Sequence, residues 1–168
     1  MKIYLLRHGI TPASADKQTK KLFKNVPLSE EGRRQIIQIC PFIRSNISKI
    51  YTSPAIRTLE TAQIVQSHAF PEAEIVIEVR LKNKIDDETS HSYLDNIVQF
   101  LGDLRVNHQD SDLLLVTHGR IIKMIYSIIQ YNSIDKEIMD CLDIDYGDLF
   151  VLYLEEDIFS FPIFAKIS

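Results

Sequence analysis

Cysteine is scarce in this sequence: Cys40 and Cys141 are the only two, far apart and without CxxC spacing. A disulfide framework and a zinc knuckle are thereby excluded as organising devices, and the pair fits a reducing, cytoplasmic setting. Long apolar runs are missing as well. The longest, such as Leu113–Val116 and Leu149–Leu154, have strand length, against the ~20 residues of a membrane span. Met1–Leu6 holds one lysine but no h-region or small-residue cleavage site, so no secretory signal is expected. Repeats, low-complexity tracts and Pro/Gly/Ser linkers are also lacking, so residues 1–168 are expected to form one domain. At 168 residues and 45% hydrophobic, such a domain would bury roughly two-thirds of its unfolded surface and needs no covalent staple.

The net charge of −4 is unevenly spread. Residues 1–34 carry eight Lys/Arg against Asp16, Glu30 and Glu31, which leaves the remainder strongly acidic. Lys17, Lys20, Lys21 and Lys24 supply most of the local excess, either as a solvated loop or as a basic rim that steers a small anion. Nucleic acid does not fit, because the chain is acidic overall and only Phe23 interleaves with that stretch.

Strands and helices alternate along the chain. Lys2–Leu6 is a short β-type run ending at Arg7-His8-Gly9. Ser29 is the expected N-cap of a helix with the stripe Ile36, Ile39/Cys40 and Ile43, which Pro41 should kink or shorten. Lys49–Thr52 reads as a strand, with Ser53-Pro54 opening a helix whose inner face is Leu59, Ala62 and Val65. Glu74–Val79 reads as a partly exposed strand, and Leu94, Ile97, Val98, Leu101 and Leu104 as a helical stripe. Leu113–Thr117 is an apolar strand ending at His118-Gly119, followed by an apolar helix at Ile121–Ile129. A short helix near Ile134–Leu142 and strands at Leu149–Leu154 and Phe159–Phe164, paired as an antiparallel edge hairpin, complete the pattern. The fold class expected is a three-layer α/β/α sandwich around a largely parallel sheet with an antiparallel edge.

Three polar sites fall at the carboxyl ends of apolar strands, where open parallel sheets bind ligands. They are Arg7-His8-Gly9, Ser53-Pro54-Ala55-Ile56-Arg57 and Thr117-His118-Gly119. Two of only five glycines directly follow these histidines, which would let the backbone approach a ligand closely. A single His-Gly at a strand end says little. Two histidines and two arginines together suit one doubly charged anion. No HExxH or i, i+4 histidine pair occurs among the five histidines, and neighbouring arginines would repel a divalent cation, so no metal or other cofactor is expected. His68, His91 and His108 read as solvated surface, and no GxxxxGK or GxGxxG nucleotide cradle is present.

Taken in order, these segments resemble the histidine phosphatase superfamily, the phosphoglycerate mutase-like family, over nearly the whole chain. Leu6-Arg7-His8-Gly9 with Thr11 is similar to the family's nucleophile motif, and Val26-Pro27-Leu28-Ser29-Glu30-Glu31-Gly32 to the opening of its first long helix. Residues 53–62 resemble its second-arginine motif, and Thr117-His118-Gly119 its second histidine. The resemblance implies catalytic roles for His8, Arg7, Arg57 and His118. His8 would attack phosphorus through a neutral ring nitrogen and form a phosphohistidine, its pKa depressed by Arg7 and Arg57. The arginines would clamp phosphoryl oxygens with planar, permanently charged forks. His118 would add a donor, protonated when phosphate is bound. Phosphate and substrate contacts are implied for Arg7, Thr11, Arg57, Asn83, His118 and Gly119. Such a pocket works by positioning and charge, without a metal.

The resemblance breaks at the acid. The family's proton-donating glutamate is expected where Arg80-Leu81-Lys82-Asn83 places Asn83, and an amide cannot protonate a leaving group. Asp86 or Asp87, followed by Glu88, either substitutes for it or belongs to a solvated loop. Ser14 and Asn25 stand where many members carry asparagine and aspartate. The chain also lacks the insertions that cap the sheet in mutases and phytases, as in the short phosphatase members. The expected function is hydrolysis of phosphomonoesters or protein phosphohistidine, so the partner is a phosphorylated small molecule or a phosphohistidine protein, with neither nucleic acid nor membrane involved. The alternatives are a mutase-type phosphotransferase and a non-catalytic module that binds a phospho-ligand.

Overall fold

The computed structural model describes residues 1–12, 26–83, 90–108, 111–131, 136–153 and 165–167. Its elements run in chain order as β1 (Lys2–Arg7), α1 (Glu30–Ile39), β2 (Ile47–Thr52), α2 (Ile56–Ala69), β3 (Glu74–Ile77), α3 (Ser90–Asn107), β4 (Asp112–Thr117), α4 (Gly119–Tyr131), α5 (Lys136–Cys141), β5 (Leu149–Tyr153) and β6 (Ala165–Ile167). The six strands lie in the order β3-β2-β4-β1-β5-β6. The pairs β3/β2, β2/β4 and β4/β1 are parallel, whereas β5 runs antiparallel to both β1 and β6.

Alternation along the central strands makes the sheet two-sided. Ile3 and Leu5 of β1, with Leu113 and Leu115 of β4, pack into a core with Tyr93, Ile97 and Leu104 of α3 and Ile121, Ile122 and Ile125 of α4. Tyr4, Leu6, Leu114 and Val116 face the other way, onto Ile36 of α1 and Ala62 and Val65 of α2. Helices therefore cover both faces, the three-layer α/β/α arrangement expected, with β5 supplying the antiparallel pairing at one side. Burying a fully apolar strand on both faces removes from water side chains worth about 1.5–3 kcal/mol each. That is why β1 and β4 read as continuous apolar runs.

Ser29 caps α1, its hydroxyl accepting from Gly32 N at 3.0 Å. Pro41 ends the α-helix as expected: the chain passes into a 3₁₀ turn at Cys40–Phe42, with Cys40 and Ile43 still buried. Other expectations are corrected. Ser53 does not open α2, because its N–H stays in register with the sheet and donates to Val116 O at 3.1 Å; the helix starts at Ile56, with Ala55 as its N-cap. Leu59 is only half-buried, and Thr58 and Thr61 share the inner face with Ala62 and Val65. On α3, Val98 is 48% exposed, since it lies about 100° beyond Ile97, and Tyr93 and Phe100 take up the stripe instead. Strand β3 stops at Ile77, which is 56% exposed at the sheet's edge, and Val79 belongs to a 3₁₀ turn, Val79–Leu81. The last strand is found at Ala165–Ile167, and the expected Phe159–Phe164 lies outside the described residues. No helix among the described residues is long and apolar enough to cross a membrane.

Candidate active site

Parallel pairing brings the three strand ends together. Arg7 of β1 stands opposite Thr117 of β4, and Thr52 of β2 opposite Val116. The loops leaving these strands continue the ladder, with His8 N donating to Thr117 O at 3.1 Å. Arg7, His8, Ser53, Arg57 and His118, drawn from segments up to 111 positions apart, therefore meet at one edge.

The start of α1 is fitted tightly against the His8 loop. A side chain at Gly9 would meet Gly32 O at 2.7 Å. Gly9 thus serves close packing of loop on helix. Ser29 N and Oγ both donate to Ile10 O, at 2.9 and 3.1 Å, and Gly9 N donates to Thr61 Oγ1 at 3.3 Å. The backbone that carries His8 is held from α1 and α2 at once.

His8 is 5% exposed, and its Nδ1 lies 2.9 Å from Gly9 O. A carbonyl only accepts, so Nδ1 carries the proton and Nε2 keeps its lone pair. That lone pair receives the Arg57 Nε–H at 3.1 Å. Burial is the main force that drives the His8 pKa down to about 3, with the charges of Arg57 and Arg7 adding to it and the Gly9 carbonyl opposing it. The arginines, expected to be the cause of the depression, are the lesser contribution.

His118 is 3% exposed, and its ring lies edge-on to His8 with centroids 5.3 Å apart. Arg57 Nη2 approaches its Nδ1 at 3.3 Å. A guanidinium only donates, so the His118 proton sits on Nε2, 3.0 Å from Ser53 Oγ. Burial, then His8 and the two arginines, lowers its pKa to about 2. Both histidines are neutral, and Arg57 bridges them.

Arg7 is held differently. Its Nη1 donates to Ile144 O, its Cζ lies 3.8 Å above the Tyr146 ring, and its Nε is buried without a hydrogen-bond partner among the described residues. Gly119 flanks it, since a Cβ there would sit 3.4 Å from Arg7 Nε. Tyr146 also stands beside His8, with ring centroids 5.4 Å apart. Neither Tyr146 nor the Ser53–His118 bond was foreseen from the sequence; Ser53 carried only a signal as a strand-end hydroxyl.

Of the other expected contacts, Thr11 is buried just after β1. Asn83 is exposed, two residues beyond Leu81, whose carbonyl accepts from Thr117 Oγ1 at 2.8 Å. That bond ties the segment leading to Asn83 to the residue beside His118. Asp86, Asp87 and Glu88, like Ser14 and Asn25, lie outside the described residues. His68 is exposed as expected, but His108 is half-buried and bonded to Tyr51 Oη at 2.8 Å. The His8 pocket has the chemistry of an anion site: two guanidinium groups, an unspent N–H and a neutral ring nitrogen whose lone pair faces Arg57.

Residues 3–84 match the Histidine phosphatase superfamily (branch 1). No curated protein matches the sequence. Among solved structures, a phosphoserine phosphatase from Entamoeba histolytica, in complex with 3-phosphoglyceric acid, is similar with a TM-score of 0.77 at 18% identity, covering 99% of this chain and 96% of that one. A mycobacterial glucosyl-3-phosphoglycerate phosphatase complexed with VO3 gives 0.77 at 14% identity, over 98% and 96%. Bacillus stearothermophilus YhfR gives 0.75 at 20% identity, over 98% and 94%. At these identities the likeness establishes the fold.

Proposed function

We propose that this chain, whose residues 3–84 match the Histidine phosphatase superfamily (branch 1), is a metal-independent phosphatase acting through a phosphohistidine at His8. The observation that carries this reading is the state of His8: a buried neutral ring, its tautomer fixed by Gly9, with the Nε2 lone pair held beside Arg57. A structural histidine has no need of a lone pair spent on an arginine. A nucleophile needs both the lone pair and the cation.

A phosphoryl group entering between His8 and Arg57 takes over the Arg57 N–H groups and the unspent Arg7 Nε–H. The Nε2 lone pair then bonds to phosphorus as the bond to the leaving oxygen breaks, and that oxygen takes up a proton. Water attacks phosphorus in the second step, the N–P bond returns its electrons to Nε2, and inorganic phosphate leaves. Charge on the equatorial oxygens is met by Arg7, Arg57 and His118, the His118 pKa rising once a dianion faces it. The substrate is a phosphomonoester or a protein phosphohistidine. Asn83 favours leaving groups that depart without strong acid assistance, phosphoimidazole and aryl oxide among them.

Asn83 also motivates a second reading, a module that binds a phospho-ligand without turnover. Hydrolysis of an aryl phosphate after exhaustive chelation separates the two. Undiminished turnover supports the phosphatase. Tight binding of vanadate with no turnover supports the module, and turnover that vanishes with the chelator contradicts a metal-independent site.

A further inference from the structure

We propose that Tyr146 is a positioning residue for phosphoryl recognition: its ring fixes the Arg7 guanidinium so that the Nε–H stays available to a phosphoryl oxygen. The inference rests on the reading of Arg7 as a phosphate clamp and goes beyond it, by assigning a part to the turn between α5 and β5.

That turn is built to hold the ring in place. Gln35 of α1 donates to Tyr146 O through Nε2 and accepts from Ile10 N through Oε1 at 3.3 Å, so one side chain fastens the turn to the His8 loop. Gly147 follows with φ of +75°, a conformation that disfavours a side chain, and a Cβ there would meet Gln35 Cδ at 2.6 Å. Its N–H donates to His8 O at 3.2 Å, and Asp148 O accepts from Arg7 N at 3.0 Å. The two residues that follow Tyr146 are therefore bonded to the two residues that its ring touches.

The contacts of Arg7 explain why a ring is needed. A side chain ending in a fork of five donors has many orientations, and one bond, from Nη1 to Ile144 O, leaves it free to pivot. The Tyr146 face at 3.8 Å and Gly119 nearby restrict that pivot. An aromatic face holds a cation without taking up any of its N–H donors, whereas a carboxylate in the same place would consume them and neutralise the charge. The ring thus stands against both Arg7 and His8.

The test is competitive inhibition of aryl phosphate hydrolysis by orthovanadate and inorganic phosphate, in a cycle of wild type, Arg7→Ala, Tyr146→Leu and the double variant. Tyr146→Leu should raise both inhibition constants by about 3- to 30-fold. Tyr146→Phe, which keeps the ring, should stay within about threefold of wild type. In the Arg7→Ala background Tyr146→Leu should add almost nothing, because its only route to phosphate is through Arg7. Additive effects, or an equal loss in Tyr146→Phe, would overturn the inference, since a general loosening or the hydroxyl would then be responsible. If Tyr146→Leu does not fold, Tyr146→Gln takes its place in the cycle. Should Arg7→Ala itself bind vanadate as wild type does, the clamp reading fails along with the inference. Should Arg7→Ala weaken binding while Tyr146→Leu does not, the inference fails alone.

Discussion

Two arginines of this molecule each lie over an aromatic ring, and they are used in opposite ways. Arg80 sits 4.8 Å above Phe100 and donates to Glu78 at 2.8 Å and to Asp103 at 2.6 Å. Those carboxylates hold its pKa well above the usual value and neutralise it. Arg7 sits 3.8 Å above Tyr146, donates to a backbone carbonyl and keeps its Nε without a partner among the described residues. Arg80 is a strut that joins the turn after β3 to α3. Arg7 is a charge kept unspent. What separates the two arginines is the company of carboxylates, not stacking on a ring.

Exchanging each arginine for methionine should break the comparison most sharply. Arg7→Met should lower kcat/KM for an aryl phosphate by about 10²–10³-fold, the usual cost of removing one preorganised donor. Arg80→Met should leave kcat/KM within about threefold but cost about 1–3 kcal/mol in urea unfolding, because Glu78 loses its partner while largely buried. A larger loss of activity in Arg80→Met than in Arg7→Met would contradict the distinction.

A second contrast concerns the acid step. With Asn83 in place of a donor, log rate against leaving-group pKa should be steep, and alkyl phosphates should lag aryl ones by up to about 10²–10⁴-fold beyond binding differences. Asn83→Glu should then help alkyl substrates selectively. If Asp86 or Asp87 fills the role, the wild-type plot is shallow and Asp→Asn at that position steepens it.

The smallest expected effect is on stability against pH. His8 titrates at about 3 and His118 at about 2 in the folded chain, against about 6.5 when unfolded. Below pH 6.5 the unfolded chain therefore takes up protons that the native state refuses, so these residues make stability fall as pH falls. Each contributes a slope of about 1.4 kcal/mol per pH unit until its folded pKa is reached. The urea midpoint of His118→Gln should accordingly depend less on pH than that of wild type between pH 6 and 4.5. Equal slopes would mean that His118 is protonated in the native pocket.

Arg7, His8, Arg57 and His118 were legible in the sequence because Arg7 ends β1, His8 and His118 directly follow β1 and β4, and Arg57 lies in the first turn of the helix after β2. The two-sided sheet was legible for a related reason: the middles of β1 and β4, Ile3–Leu6 and Leu113–Val116, are apolar. Tyr146 was not. It meets Arg7 and His8 only because β5 runs antiparallel beside β1, a pairing that joins Leu6 to Leu149 and Lys2 to Tyr153 and leaves no mark on the sequence around Tyr146. Val98 and Ile77 show the converse, apolar residues that fit a period yet face water, one a step round the helix and the other on an edge strand. His108 looked like surface until Tyr51 was brought to it from β2.

The central claim is that His8 Nε2 forms a bond to phosphorus during turnover. Rapid acid quench of the protein with a ³²P-labelled aryl phosphate, followed by peptide mapping, tests it directly. The account predicts an acid-labile, base-stable label on the peptide containing His8, formed and lost at rates that support turnover, and absent in His8→Ala along with activity. Turnover that persists in His8→Ala, or a label on a different residue, would contradict it.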